Sequence, residues 1–188
     1  MRIISGDFRG TKLYLSNDKI TRPLKDLVRE SIFNLITHSK NMFLEISVSN
    51  VLDLYSGTGS FGLECLSRKA KKVYFVENEK NAFQTLEKNI KKLKIKEKTK
   101  IFFHDVISLI KKQKIQIKFD IIFCDPPFKQ TNIEKLIEAI FDRNLLKKDG
   151  LIILHRNKVS KDKFPNYFNV IDERTYGLSK IIFGKILY

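Results

Sequence analysis

Between residues 48 and 154 one unit repeats, a short continuous apolar run followed by a loop and an amphipathic segment. Runs Val48-Leu54, Val73-Val76, Lys100-Phe103 and Asp120-Cys124 precede segments of helical spacing near Phe61-Ser67, Lys80-Leu93, Asp105-Lys112 and Ile133-Phe141, and Gly150-Leu154 opens a fifth run. Strands that are apolar throughout, rather than at alternate positions, are buried on both faces, so the pattern predicts a parallel sheet with helices on each side. The ending differs. Phe168-Asp172 and Ile181-Leu187 are separated by a Tyr176-Gly177-Leu178-Ser179 connection too short for a crossover helix, which predicts an antiparallel hairpin at the sheet edge. The expected fold is therefore α/β, an open Rossmann-like sheet that is mostly parallel with an antiparallel C-terminal edge.

Two elements precede this unit. Residues 1–16, punctuated by Gly6 and Gly10, read as a two-stranded hairpin, and Leu24, Leu27, Val28, Ile32, Phe33 and Leu35 predict a helix from Pro23 to Ile36 with Pro23 at its first position. Residues 1–40 thus form an extension and residues 41–188 the main domain, within one compact unit, since 188 residues bury a sufficient core without staples. Cys65 and Cys124 form no CxxC pair, so neither a disulfide framework nor a zinc site is expected, and His38 and His104 lack a second ligand at metal-binding spacing. No run of about 18 apolar residues is present and the first residues break before a signal-peptide core could form. A cytoplasmic protein without a membrane partner is expected.

The net charge of +15 suggests a polyanionic partner, although a lysine-rich genome bias would produce much the same excess. Arginine is more telling: four of the eight, Arg2, Arg9, Arg22 and Arg29, lie in the first 29 positions, marking this segment as a nucleic-acid face, with packing as the alternative for any one of them.

Gly57-Thr58-Gly59-Ser60-Phe61-Gly62 matches GxGxxG between a strand and a helix, and Glu77 follows Gly57 by twenty residues at the end of the next strand. Backbone can approach a nucleotide-like ligand at such a loop, and the carboxylate can accept from both ribose hydroxyls. These features fit any adenosine-containing cofactor, NAD included. Asp105 is placed either to accept from an adenine amino group, with the Val106 amide beside it, or to cap the next helix.

Asp125-Pro126-Pro127-Phe128, directly after the apolar run Ile121-Cys124, separates the possibilities. Two prolines end a sheet ladder and stiffen the loop. If the sheet order reverses beside the first strand, the first and fourth strands lie about 4.8 Å apart and their loops face one crevice. An exocyclic base amine becomes nucleophilic when two acceptors hold its hydrogens. The Asp125 carboxylate and Pro126 carbonyl can do so, with Asp125 taking the proton and Phe128 stacking on a base turned out of its helix.

Together these residues resemble the class I methyltransferases and, more closely, the bacterial 16S ribosomal RNA guanine-N2 methyltransferase family. The similarity includes Arg2-Ile3-Ile4-Ser5-Gly6, Arg9-Gly10, Arg22-Pro23, Val28-Arg29-Glu30, Leu52-Asp53-Leu54-Tyr55-Ser56-Gly57-Thr58-Gly59, Glu77 and Asp125 to Phe128. It implies S-adenosylmethionine as cofactor, held by Asp53, Tyr55, Gly57, Gly59, Glu77, Asn78, Asp105 and Val106. It also implies catalysis by Asp125, Pro126 and Phe128, with Arg22, Arg29 and Pro127 toward the RNA. The implied partner is 16S ribosomal RNA in the small subunit or a late assembly particle, met by a monomer. The chain departs from the family in carrying His155-Arg156 after the fifth strand, where an acidic residue is usual. A DNA or glutamine amine methyltransferase is the nearest alternative, but it more often carries Asn at position 125 and a large target-recognition domain. An NAD oxidoreductase would leave the Asp-Pro-Pro-Phe loop without a use, and a noncatalytic RNA chaperone would have no need of an intact glycine loop.

Overall fold

The apolar runs become strands of a single seven-stranded sheet in the computed structural model, which describes residues 1–16, 24–112, 115–127 and 132–188. The chain passes through α1 (Asp26–His38), β1 (Asn50–Leu54), α2 (Ser60–Ser67), β2 (Lys72–Glu77), α3 (Lys80–Leu93) and β3 (Thr99–Phe103). It continues through α4 (Val106–Lys111), β4 (Phe119–Cys124), α5 (Ile133–Asp142), β5 (Leu146–Asn157), β6 (Phe168–Tyr176) and β7 (Ser179–Ile186). Strand order is β3-β2-β1-β4-β5-β7-β6, with β1 to β5 parallel and β7 antiparallel to both neighbours. The order reverses between β1 and β4, the expected crevice position.

Alternation along the strands divides the core in two. Val51, Phe75, Ile121, Phe123 and Ile153 face α1, α2 and α3, while Leu52, Val76, Ile122, Cys124 and Leu154 face α4 and α5. On the first side Phe33, Phe61 and Phe123 stack with ring centroids 5.2 and 4.1 Å apart, tying α1 through α2 to the sheet.

Several boundaries differ from the sequence reading, and four of the differences bear on the site or the N-terminal segment. The first helix starts at Asp26 rather than Pro23: Lys25 is extended, and the Asp26 carboxylate complements the dipole of the first turn. Pro23 itself lies outside the described residues. Ile46–Val48 forms a 3₁₀ turn, closed by the Ser49 hydroxyl donating to the Glu45 carbonyl at 2.7 Å, so β1 begins at Asn50 instead of Val48. Strand β5 extends through Asn157, which places His155 and Arg156 within it rather than after it. The N-terminal hairpin is short: Arg2 bridges Lys12, flanked by Ile3 N–H to Thr11 carbonyl, Gly10 N–H to Ile3 carbonyl and Leu13 N–H to Met1 carbonyl, and the amides after Ile3 are drawn onto α2. Ile4 and Ser5 N–H donate to the Glu64 carboxylate at 2.8 and 3.0 Å, and Phe8 N–H to the Ser67 hydroxyl at 3.0 Å.

Candidate active site

Register sets the site. Leu54 pairs with both Val76 and Cys124, and Cys124 pairs with Leu154, so the next residues on these strands, Tyr55, Glu77, Asp125 and His155, stand in one row along the carboxyl edge. The Asp125 amide still donates to the Leu54 carbonyl at 3.3 Å, which fixes the start of the Asp-Pro-Pro loop against β1.

Between β1 and α2 the backbone turns sharply. Gly59, the residue before α2, has φ +87°, and a β-carbon there would come within 2.5 Å of the Leu86 side chain, so position 59 requires glycine on two counts. A β-carbon on Gly62 would lie 2.3 Å from the Phe75 ring, the close helix-to-strand approach for which the third glycine of the motif serves. Tyr55 adopts φ +58°, costly for a bulky side chain at about 1–3 kcal/mol and typical of a functional loop.

Carboxylates hold this loop. Glu77, buried, accepts from Gly57 N–H at 2.6 Å through one oxygen and from Asn78 and Glu79 N–H at 2.8 and 2.7 Å through the other. Asp53, also buried, accepts from Gly62 N–H in the first turn of α2 at 2.9 Å. Burial pushes the Asp53 carboxyl well above the usual carboxylate range; the Gly62 amide opposes this, while the nearby negative charges of Asp125 and Glu77 reinforce it. Two amides of the glycine motif, those of Gly57 and Gly62, therefore already have carboxylate acceptors, and a third acidic residue, Asp125, stands across the crevice.

The remaining expected residues are distributed around this centre. Tyr55 and Asp105 line one cleft of about 760 Å³ together with Ile107 and Asn132. Asp105 also caps α4, accepting from Ser108 N–H at 2.9 Å, so its capping role is present. Val106 and Pro126 are buried, whereas Asn78 and Pro127 are exposed. Arg22 and Phe128 lie outside the described residues. Arg29 is corrected: instead of facing RNA it is buried beneath the N-terminal segment, donating to the Arg2 carbonyl and to Asp26 at 3.0 Å, with Glu64 3.7 Å away. Desolvation lowers its pKa, and the two carboxylates oppose that. Of the N-terminal arginines, Arg2 and Arg9 are the exposed ones among the described residues.

Two residues at the site escaped the sequence reading as participants. Asn89 on α3 donates to the Thr58 carbonyl in the glycine loop and to the Tyr14 carbonyl, each at 3.1 Å, joining loop and N-terminal segment. A mid-helix Asn ordinarily signals only a solvated face. His155 bonds Asp125 through Nδ1 at 2.8 Å; its position one step beyond Leu154 in register was the available signal. Cys65 and Cys124 are buried thiols whose pKa burial raises, so neither is poised as a nucleophile. Among the described residues no helix is long and apolar enough to cross a membrane, and no three His, Cys, Asp or Glu side chains are grouped to hold a metal.

A sheet of this order with a reversed seventh strand, a carboxylate-braced glycine loop and an Asp-Pro-Pro loop across the switch point define a class I methyltransferase. Comparison with known proteins narrows this. The family described as Conserved hypothetical protein 95 matches residues 1–185. Ribosomal RNA small subunit methyltransferase D of Haemophilus influenzae is 35% identical over 179 residues, covering 95% of this chain and 90% of that protein. The Escherichia coli K12 protein of the same name is 32% identical over 152 residues, covering 81% and 72%. The solved structure of yhhF from Escherichia coli superposes with a TM-score of 0.83 at 27% identity over 99% of this chain and 97% of that one. The chain belongs to this family, that of the small-subunit methyltransferase D proteins.

Proposed function

We propose that the protein transfers a methyl group from S-adenosylmethionine to the exocyclic N2 amine of a guanine in 16S ribosomal RNA of the small subunit. The observation that carries the cofactor assignment is the placement of the Asp125-Pro126-Pro127 loop, anchored to β1, across the switch point from a glycine loop whose Gly57 amide is held by Glu77 and whose Gly62 amide is held by Asp53. When bound, S-adenosylmethionine supplies an electrophilic methyl, its sulfonium–carbon bond breaking as the nitrogen–carbon bond forms and leaving a neutral thioether. Asp53, Tyr55, Gly57, Gly59, Glu77, Asn78, Asp105 and Val106 surround it, Glu77 serving the ribose and Asp105 with Val106 the adenine. Asp125 and the Pro126 carbonyl hold the amine hydrogens, and Asp125 takes the proton that the nitrogen releases. Phe128 stacks on the base, and Pro127 and Arg22 lie toward the RNA.

The names of the relatives support ribosomal RNA as substrate, and the two-acceptor loop suits an amine rather than a hydroxyl or ring carbon. We further infer a small-subunit particle as the substrate, a cytoplasmic location and a monomeric enzyme. Incubation with small ribosomal particles lacking the modification, followed by nucleoside mass spectrometry, is expected to yield N2-methylguanosine. Appearance of N6-methyladenosine or a methylated glutamine with guanine untouched would overturn the target.

Two further results are expected. Glu77→Ala should weaken S-adenosylmethionine binding in calorimetry about tenfold or more, because a charged hydrogen bond is worth about 1.5–3 kcal/mol; unchanged affinity removes Glu77 from the ribose site. RNA binding should fall with salt at a log-log slope of about −0.7 per phosphate contact. Arg9→Ala should reduce that slope by about one contact at unaltered melting temperature, whereas an unmoved slope would take the N-terminal arginine off the RNA path.

A further inference from the structure

We propose that His155 is a positioning residue for Asp125, fixing the carboxylate that receives the target amine; this rests on the catalytic reading of Asp125 given above. Three side chains, from the loop after β4, from β5 and from β7, form a chain of bonds. His155 Nδ1 lies 2.8 Å from Asp125 Oδ1, and His155 Nε2 lies 2.9 Å from the Ser179 hydroxyl at the start of β7. His155 and Ser179 are buried, while Asp125 is partly open to the crevice with 22% of its side chain exposed.

The chemistry selects one arrangement. An ionised Asp125 can only accept, so Nδ1 must carry a proton and donate it; the opposite tautomer of the neutral ring would set a lone pair against a carboxylate oxygen at hydrogen-bond distance. Nε2 of the neutral ring is then an acceptor, and the Ser179 hydroxyl is the donor that satisfies it. The carboxylate thereby sets the tautomer, Ser179 holds the far side of the ring in place, and the ring so anchored fixes the torsion of Asp125. Among the described residues Asp125 Oδ2 accepts no bond, so with Oδ1 engaged it is the oxygen left for the amine hydrogen and the released proton. His155 touches neither the base nor the methyl; it acts through Asp125. The antiparallel turn of β7 serves this arrangement: because β7 runs against β5, with Asn157 opposite Ser179, the residue that opens β7 comes beside the end of β5 that borders the crevice.

The test measures methyl transfer on small ribosomal particles lacking the modification, using His155→Leu, His155→Asn, Ser179→Ala and Asp125→Ala proteins. His155→Leu is expected to lower kcat about 10–100-fold, the range over which loss of a partner that orients an active group acts, with S-adenosylmethionine affinity and the KM for RNA little changed. His155→Asn should recover most of that loss, because its side-chain N–H reaches the place of Nδ1. Ser179→Ala should cost less than His155→Leu, since the ring and its bond to Asp125 remain but the ring loses its second anchor. A merely structural His155 would lower the melting temperature and leave kcat of the folded fraction unchanged, and equal kcat for the Leu and Asn variants would likewise overturn the proposal. Should the Leu variant not fold, the comparison of His155→Asn with His155→Gln replaces it: Gln reaches the place of Nε2 and should not rescue, and equal rates for the two would overturn the proposal. If Asp125→Ala is inactive while His155→Leu is normal, the positioning role alone falls; if Asp125→Ala turns over normally, the catalytic reading of Asp125 falls with it.

Discussion

Methyl transfer by the Asp125→Ala protein is expected to fall by about 10²–10⁴-fold, the usual loss when a positioned acid–base group is removed, while S-adenosylmethionine affinity stays nearly intact. The split follows from where Asp125 stands. Its loop starts from β4, across the switch point from the glycine loop, and the loop's own contacts to Glu77 and Asp53 do not pass through it. Removing the carboxylate takes one acceptor from the target amine and the group that receives its proton, but leaves the ribose and adenine contacts in place. Asp125→Asn is the informative companion, retaining one acceptor oxygen without the basicity; its kcat should fall between those of the wild type and the alanine variant. Single-turnover rates at saturating RNA, with calorimetry of cofactor binding on the same preparations, measure both halves. Near-normal turnover would end the proposed role, and loss of the folded state would favour a structural turn.

What the sequence made legible was whatever depends on local order. Continuous apolar runs marked the five parallel strands, and the short Tyr176 to Ser179 connection marked the edge hairpin, because burial on both faces and connection length are written residue by residue. Glu77 and Asp125 were expected from their places at the ends of apolar runs, while Asp53, inside the first run, came from the resemblance alone. The functions of Arg29, Asn89 and His155 were not legible, since each depends on which distant residue lies opposite. Arg29 resembles any N-terminal arginine until α1 is packed against α2, where Glu64 awaits it 35 residues further along the chain. His155 acquires a partner only once the register of β4 and β5 is known, and its second partner comes from a strand running the other way. The hairpin expected at residues 1–16 is present but short, for a related reason: beyond Ile3 its amides pair with α2, a competitor that no local pattern reveals.

The same packing gives the largest expected loss of stability, at Glu64. This carboxylate is wholly buried and accepts from three donors, the amides of Ile4 and Ser5 at 2.8 and 3.0 Å and Arg68 Nε at 3.0 Å, while Arg29 Nε lies 3.7 Å away as an ion pair without a hydrogen bond. Arg29 is itself fully buried, and the Glu64 charge is the foremost interaction opposing its desolvation. Glu64→Ala would leave that cation with Asp26, which is half exposed, and strand two backbone amides. Removing one member of a buried ion pair costs about 3–5 kcal/mol, far more than the pair contributes over an apolar replacement, because the surviving charge stays buried. For a chain of this size that is a fall in melting temperature of roughly 6–20 °C. Glu64→Gln should lose less, keeping an acceptor oxygen for one amide. Hydrogen exchange separates two ways of losing the stability: if the N-terminal segment lifts off first, the Ile4 and Ser5 amides exchange ahead of those in β1 and β4. A melting temperature within about 2 °C of the wild type would show that Arg29 finds compensation elsewhere, and that Glu64 does not hold the N-terminal segment to α2.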